Sequence, residues 1–291
     1  MAKTQKFDPR QSMNGDTYEV FHYLDAKTRH LEAHYHDFYE IFCFVNGEVD
    51  YWVDGKVYHL KSGDVLLINP TELHKPIPLK ETEDYERIVV WVSKSFLAGI
   101  ENGILARCFD PESPLYGKVL RPSAAEQKRL FDLARNMTEE NYGDTFGGNL
   151  CTYGMLLQFL VQINRISLSG MAAASEKSAV STLISEVLKY VNVHFREKLT
   201  LEQLSSLFFV NKYYLSHQFK KTVGTGIHRY ITMKRLNAAY ELLEEGVPAG
   251  RAGSVCGFTD YTVFFRAFKN EFGISPTLVF SEKQHEKTES L

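Results

Sequence analysis

Apolar and polar positions along the chain follow two regimes. Over residues 17–95, short runs rich in Val, Ile, Tyr, Phe and Trp alternate with turn signals. Glu40–Val45, Val49–Val53, Val57–Leu60 and Val65–Ile68 have strand length. Asn46-Gly47, Asp54-Gly55, Ser62-Gly63-Asp64 and Asn69-Pro70 punctuate them. This spacing predicts a β-sandwich or small barrel and excludes alternating βαβ units. Beyond residue 122 the period becomes helical. Ser123–Glu140 opens on a Ser N-cap and carries Leu130, Phe131, Leu133, Ala134 and Met137. Asn149–Ile166 has an apolar stripe too broad for a lone surface helix, so it is expected to pack on the barrel and on a second surface. Ser167–Ser178 is small and polar, a linker signal, and residues 180–280 read as all-helical.

Composition narrows the class. Hydrophobic residues make up 44% and charged residues 24% of the 291 positions, which excludes global disorder. No apolar run reaches the roughly 18 residues of a membrane span, and the opening MAKTQKFDPRQ has no apolar h-region. A cytoplasmic protein without a membrane partner is expected. Cys43, Cys108, Cys151 and Cys256 fit no CxxC pattern, so free thiols are expected rather than zinc or disulfides. The net charge of −3 is unevenly spread. Residues 1–179 hold 19 Lys+Arg against 25 Asp+Glu, residues 180–280 hold 12 against 8, and residues 281–291 hold 2 against 3. Only the helical half is basic, so only it is suited to a polyanion.

That half contains a repeat. Leu215 and Phe219, like Phe264 and Phe268, stand at i,i+4, and Gly224 and Gly273 follow each pair. Asn211 and Asp260 are good N-caps, each preceded by a short helical segment, Leu201–Phe208 and Ala249–Val255. Helix, tight turn and a second helix with a polar-basic face is the helix-turn-helix arrangement. A plain helical bundle with solvated faces is the competing reading of one such unit; two in tandem on the basic segment favour DNA. A helix from Ile227 to Glu244 joins the units, and its 18 residues span about 27 Å, near the roughly 34 Å of a DNA turn.

The stretch GFTDYTVFFRAFKNEFGISP at 257–276, with LTLEQL at 199–204 and MKRLNAA at 233–239, resembles the signature of the AraC/XylS family of transcription regulators. The resemblance covers about 100 residues. It implies double-stranded promoter DNA as partner, with Tyr213, Ser216, His217, Tyr261, Thr262 and Arg266 facing base edges. Arg266 suits guanine, while Lys212, Lys220 and Lys269 suit phosphates. The chain departs from the family at His217, where Arg is frequent, and at Val279 and Phe280, where a phosphate contact is lost. Gly250 and Gly253 inside a short helix predict a loose second unit, since each costs about 1 kcal/mol against Ala.

In the N-terminal half, His34, His36 and Glu40 are separated by even numbers, which predicts one face of a strand. His74 follows Asn69-Pro70. Two His, a carboxylate and a third His form a plausible divalent-metal set. The spacing also resembles the cupin barrel, whose metal-binding members use the residues matching His34, His36, Glu40 and His74. It lacks two of the usual glycines, and the pocket need not hold a metal: His34, His36 and Glu40 hydrogen-bonding one another or a polar ligand is the plainer reading. Among the aromatics Tyr35, Tyr39, Tyr51, Trp52, Tyr58 and Trp91, some are suited to stack on a sugar ring; Tyr39 joins His34, His36, Glu40 and His74 as a candidate ligand contact.

The expected fold class is two-domain α+β. Residues 1–122 form a cupin-like sensing barrel, 123–167 a helical support or dimerisation region, 168–178 a linker, 179–280 an all-α tandem helix-turn-helix domain and 281–291 a frayed tail. The expected function is a ligand-responsive transcription regulator rather than an enzyme, with no obligatory cofactor. Resemblance implies a homodimer, a carbohydrate or related effector, activation, and RNA polymerase as a further partner. The alternatives are a metallo-cupin enzyme, revealed by turnover, and a metal sensor, revealed by elemental analysis with and without His36→Ala.

Overall fold

The structure, a computed structural model, describes residues 12–25, 33–70, 72–79, 85–110, 113, 116–141, 146–169 and 182–281. The chain divides into two compact units, residues 1–179 and 180–291.

In the first unit, strands β1 (Tyr18–Asp25), β2 (Tyr39–Asn46), β3 (Val49–Val53), β4 (Lys56–His59), β5 (Val65–Ile68), β6 (His74–Pro78) and β7 (Tyr85–Val92) precede helix α1 (Lys94–Gly99) and a 3-10 segment, Glu101–Phe109. Strand β8 (Val119–Leu120) and helices α2 (Ala124–Asn141) and α3 (Gly148–Leu168) follow. The strands form a five-stranded sheet, β1-β7-β2-β5-β8, and a three-stranded sheet, β4-β3-β6. Strand alternation gives the larger sheet two different faces. Ile41, Cys43, Val65, Leu67, Ile88 and Val90 pack under Leu130, Phe131, Met137, Leu156, Phe159 and Ile163 of the helices. Phe42, Phe44, Leu66, Ile68, Val89 and Trp91 face inward and meet Tyr51 and Val53 of the smaller sheet. Helices α2 and α3 thus complete the barrel's own core. Ser123 and Glu126 cap α2 reciprocally, with Ser123 N–H donating to Glu126 at 2.9 Å.

One strand expectation is corrected. His34 and His36 do not lie on a strand with Glu40, because β2 begins only at Tyr39. His34 instead makes an isolated antiparallel bridge with His74, its N–H donating to the His74 carbonyl at 3.0 Å and its carbonyl accepting at 2.9 Å. Leu168 and Ser169 close α3 rather than opening a linker; positions 170–178 of that linker and 282–291 of the tail lie outside the described residues.

The second unit holds α4 (Thr182–His194), α5 (Leu201–Leu207), α6 (Lys212–Val223), α7 (Ile227–Glu244), α8 (Ala249–Val255) and α9 (Tyr261–Phe272). Thr200 and Gln203 form a capping box on α5. Asn211 accepts from the Tyr213 and Tyr214 N–H groups, and Asp260 from that of Val263. The repeated glycines stop the two second helices in left-handed geometry, φ 90° at Gly224 and 74° at Gly273. Phe264 and Phe268 are fully buried with Leu236, Ala239, Leu243, Ala252 and Cys256. Gly253 has a packing role beside its propensity cost. It is buried, and a Cβ there would stand 2.7 Å from the Phe264 ring. Glycine is the residue that lets the helix seat on that ring.

Candidate nucleic-acid interface and sensor pocket

Helices α6 and α9 bury one stripe and expose another, as their i,i+4 phenylalanines require. Tyr213, His217 and Lys220 on α6 are exposed, with Lys212 and Ser216 half-buried beside them. Tyr261, Thr262, Arg266 and Lys269 on α9 are all exposed. The nine residues therefore present themselves on the outward sides of the second helix of each unit. Lys212 Nζ lies 3.3 Å from Glu202 and 5.4 Å from the Tyr213 ring, an exposed pair of little strength. The sequence reading omitted the apolar part of this surface: Tyr214 is 51% and Val263 59% exposed. Their exposure was hidden because the i,i+4 stripe was read and its flanks were not.

The sensor residues divide. His36, Glu40 and His74 are buried, and one donor atom from each lies within 4.8 Å of the others. His36 Nδ1 donates to the Phe38 carbonyl at 2.9 Å, and His74 Nδ1 to the Glu72 carbonyl at 2.8 Å. Neither Nε2 atom has a hydrogen-bond partner. His36 Nε2 stands 3.3 Å from the Glu40 carboxylate without the alignment of a hydrogen bond. Phe38 stacks on His36 at 3.9 Å between centroids.

Glu40 is held in place by a residue the sequence reading left among generic aromatics. Trp91 is its direct partner across the β2–β7 ladder and donates its indole N–H to Glu40 at 2.8 Å. Burial alone would raise the Glu40 carboxyl, but the His36 imidazole, then His74 and His34, outweigh it and hold the group at about 2. Burial drives His74 well below its ordinary value, helped by His34 and His36 against the pull of Glu40. The cluster is a carboxylate beside the Nε2 atoms of two buried imidazoles.

Two expected pocket residues stand apart. Tyr39 lies on the opposite face of β2 from Glu40, because adjacent strand residues alternate, and its ring packs 4.6 Å from Phe109. His34 is half-buried at the rim, its ring edge-on to His74 at 4.4 Å, and is outside the group of three. Of the other aromatics, Tyr51 faces the barrel interior 6.2 Å from the His74 ring, while Trp52 turns away, beneath Lys75 at 5.8 Å. Cys43, Cys108 and Cys256 are buried, and all four cysteines are free. Burial pushes the Cys108 thiol up to about 12 and Cys256 to about 11, so neither is poised as a nucleophile.

A buried polar cluster between two β-sheets and, on the same chain, two helix-turn-helix units with exposed basic faces are the architecture of a DNA-binding regulator with an added β-domain. A family model for the AraC-like ligand binding domain matches residues 17–188, and one for a helix-turn-helix domain matches 204–281. The chain belongs to the AraC family of transcriptional regulators. It is 24% identical over 275 residues to the HTH-type transcriptional activator RhaS of Mannheimia succiniciproducens, covering 94% of this chain and 97% of that protein. It is 33% identical over 89 residues to the probable transcriptional regulator LumQ of Photobacterium leiognathi, a match spanning only 36% of that relative. Among solved structures, ToxT of Vibrio cholerae aligns with 91% of this chain and 98% of its own at 14% identity and TM-score 0.36. The C-terminal domain of AraT from Geobacillus stearothermophilus aligns with 36% of this chain and 88% of its own at 28% identity and TM-score 0.35. No described helix is long and apolar enough to cross a membrane.

Proposed function

We propose that the chain activates transcription in response to a polar, hydroxyl-rich metabolite of the carbohydrate class, held between the two sheets at His36, Glu40 and His74. The carrying observation is that the buried cluster keeps polar atoms the fold does not use: a carboxylate beside two imidazole Nε2 atoms without hydrogen-bond partners. Such a set matches a hydroxyl-rich ligand, whose O–H groups can both donate and accept. Activation follows the mode named for the RhaS relatives, with RNA polymerase as the further partner. Base edges are read by Tyr213, Ser216, His217, Tyr261, Thr262 and Arg266, and phosphates are met by Lys212, Lys220 and Lys269. The protein acts as a homodimer through the outer face of α3, where Leu150 is 77% and Tyr153 39% exposed. A thermal-shift screen of sugars against the full chain tests the reading. A stabilising sugar whose effect disappears in Glu40→Gln supports it; shifts that persist in the variant refute this site.

The same three residues favour a second reading. His36, Glu40 and His74 would hold a divalent cation, each His oriented by a backbone carbonyl as metal-bound histidines ordinarily are. The cation would supply a Lewis-acidic anchor for effector oxygens. Elemental analysis of the purified protein and of His36→Ala separates the readings: stoichiometric metal lost in the variant selects the cation, and no metal selects the direct pocket.

A further inference from the structure

The two helix-turn-helix units meet at a side chain that no base or phosphate role explains. Arg235 lies halfway along α7 and is half-buried. Its Nε donates to the Phe195 carbonyl at 2.7 Å and its Nη2 to the Glu197 carbonyl at 2.6 Å. Both carbonyls lie just beyond the end of α4 at His194, where a helix leaves acceptors unpaired and favours a cation. The turn between α8 and α9 touches the same point. Gly257 there has φ +90°, and a Cβ on it would collide with the Arg196 carbonyl and stand 3.1 Å from Arg235 Nε. Three segments converge: the chain leaving α4, the middle of α7 and the turn that launches α9. Helix α4 packs on α6, and the α8–α9 turn sets the direction of α9. A connecting helix by itself leaves each unit free to rock about its own packing; a two-pronged tie across it removes that freedom.

We propose that Arg235 is a positioning residue: its clamp on the Phe195 and Glu197 carbonyls fixes the angle between recognition helices α6 and α9, and with it the half-site separation that one protomer accepts. This rests on the assignment of both helices to duplex DNA. Arginine suits the task because its planar fork serves two carbonyls at once and its charge strengthens both bonds.

The test is selection from randomised DNA duplexes by the purified full chain, with bound sequences read for half-site motifs and their spacing. The unaltered chain selects two motifs at one dominant separation. Arg235→Met, which keeps the aliphatic stem, retains both motifs but spreads over neighbouring separations. Its affinity for the best wild-type duplex falls roughly tenfold, as expected if about one molecule in ten then holds the wild-type angle. Arg235→Lys, able to reach one carbonyl, widens the spacing less; if the Met variant does not fold, the Lys variant carries the measurement. An unchanged spacing in the folded variant overturns the proposal, as does loss of one motif altogether, which marks collapse of the second unit instead of a change in angle. Absence of any motif with the unaltered chain is a different failure, that of the DNA assignment itself.

Discussion

Glu40 and His74 make the sensor unit sensitive to acid, and the sign follows from their directions. His74 titrates far below its ordinary value in the folded chain, so the folded state binds fewer protons than the unfolded one below about pH 6.5. The stability tied to neutral His74 is complete above that pH and is lost as pH falls beneath it. Glu40, lowered from 4.5 to about 2, adds a second loss between those values as pH falls. Each group contributes at most about 1.4 kcal/mol per pH unit. Both tryptophans, Trp52 and Trp91, lie in this unit, so their fluorescence reports its unfolding. The denaturation midpoint is expected to fall from pH 7 to pH 5, with a flatter dependence in His74→Gln; identical slopes would refute the assignment. On the other surface, Arg266→Ala is expected to weaken binding to a selected duplex by roughly 1–3 kcal/mol and relax selectivity at one base position. An equal loss on every duplex would move Arg266 to a phosphate role.

Helix α8 carries two glycines with opposite meanings. Gly250 is exposed with open space where a Cβ would go, so Gly250→Ala is expected to stabilise the second unit by about 0.5–1 kcal/mol through helix propensity. Gly253 lies against the Phe264 ring, so Gly253→Ala is expected to destabilise it despite the same propensity gain. Thermal unfolding of the two variants decides the matter; shifts of the same sign would show that the ring yields. Both helices ahead of the recognition helices end at a sharp turn. In the first unit that turn places Phe209 in left-handed geometry, φ 54°, and in the second Gly257 takes the same region at φ 90°. The bulky residue bears the strain that the glycine avoids.

At the scale of the molecule, charge and core are both partitioned. Each unit has its own buried cluster, and the excess of Lys and Arg is confined to the second. Residues 180–291 alone are expected to bind duplex DNA with an affinity that falls linearly in log[salt], by about 0.9 per phosphate neutralised. Residues 1–179, with their net negative charge, are expected to show no such binding. A fragment 180–291 whose binding ignores salt would remove the electrostatic basis of the DNA assignment. Effector action then requires different affinity for two arrangements of the chain, since a ligand indifferent to arrangement shifts nothing.

The helices of the second unit were legible because their signals are local. Asn211 and Asp260 cap the residues that follow them, Leu215 and Phe219 share a face one turn apart, and the glycines after each helix need no distant partner. The strands β2, β3 and β5 were legible for the same reason, in short runs of β-branched and aromatic residues bounded by turns. The pocket was legible as a set of residue types and misread as geometry. Even spacing placed His34 and His36 on a strand that begins only at Tyr39, and Tyr39, a candidate for its aromatic ring, falls on the face opposite Glu40 because the pleat sends neighbours to opposite sides. Trp91 joined the site only through cross-strand register with a residue 51 positions earlier, and Gly253 gained its meaning only from the ring of Phe264. Capping and periodicity are written between near neighbours, so the chain alone determined them. Which buried atoms face one another depends on closure of distant segments around a shared interior, and only the folded structure decides that.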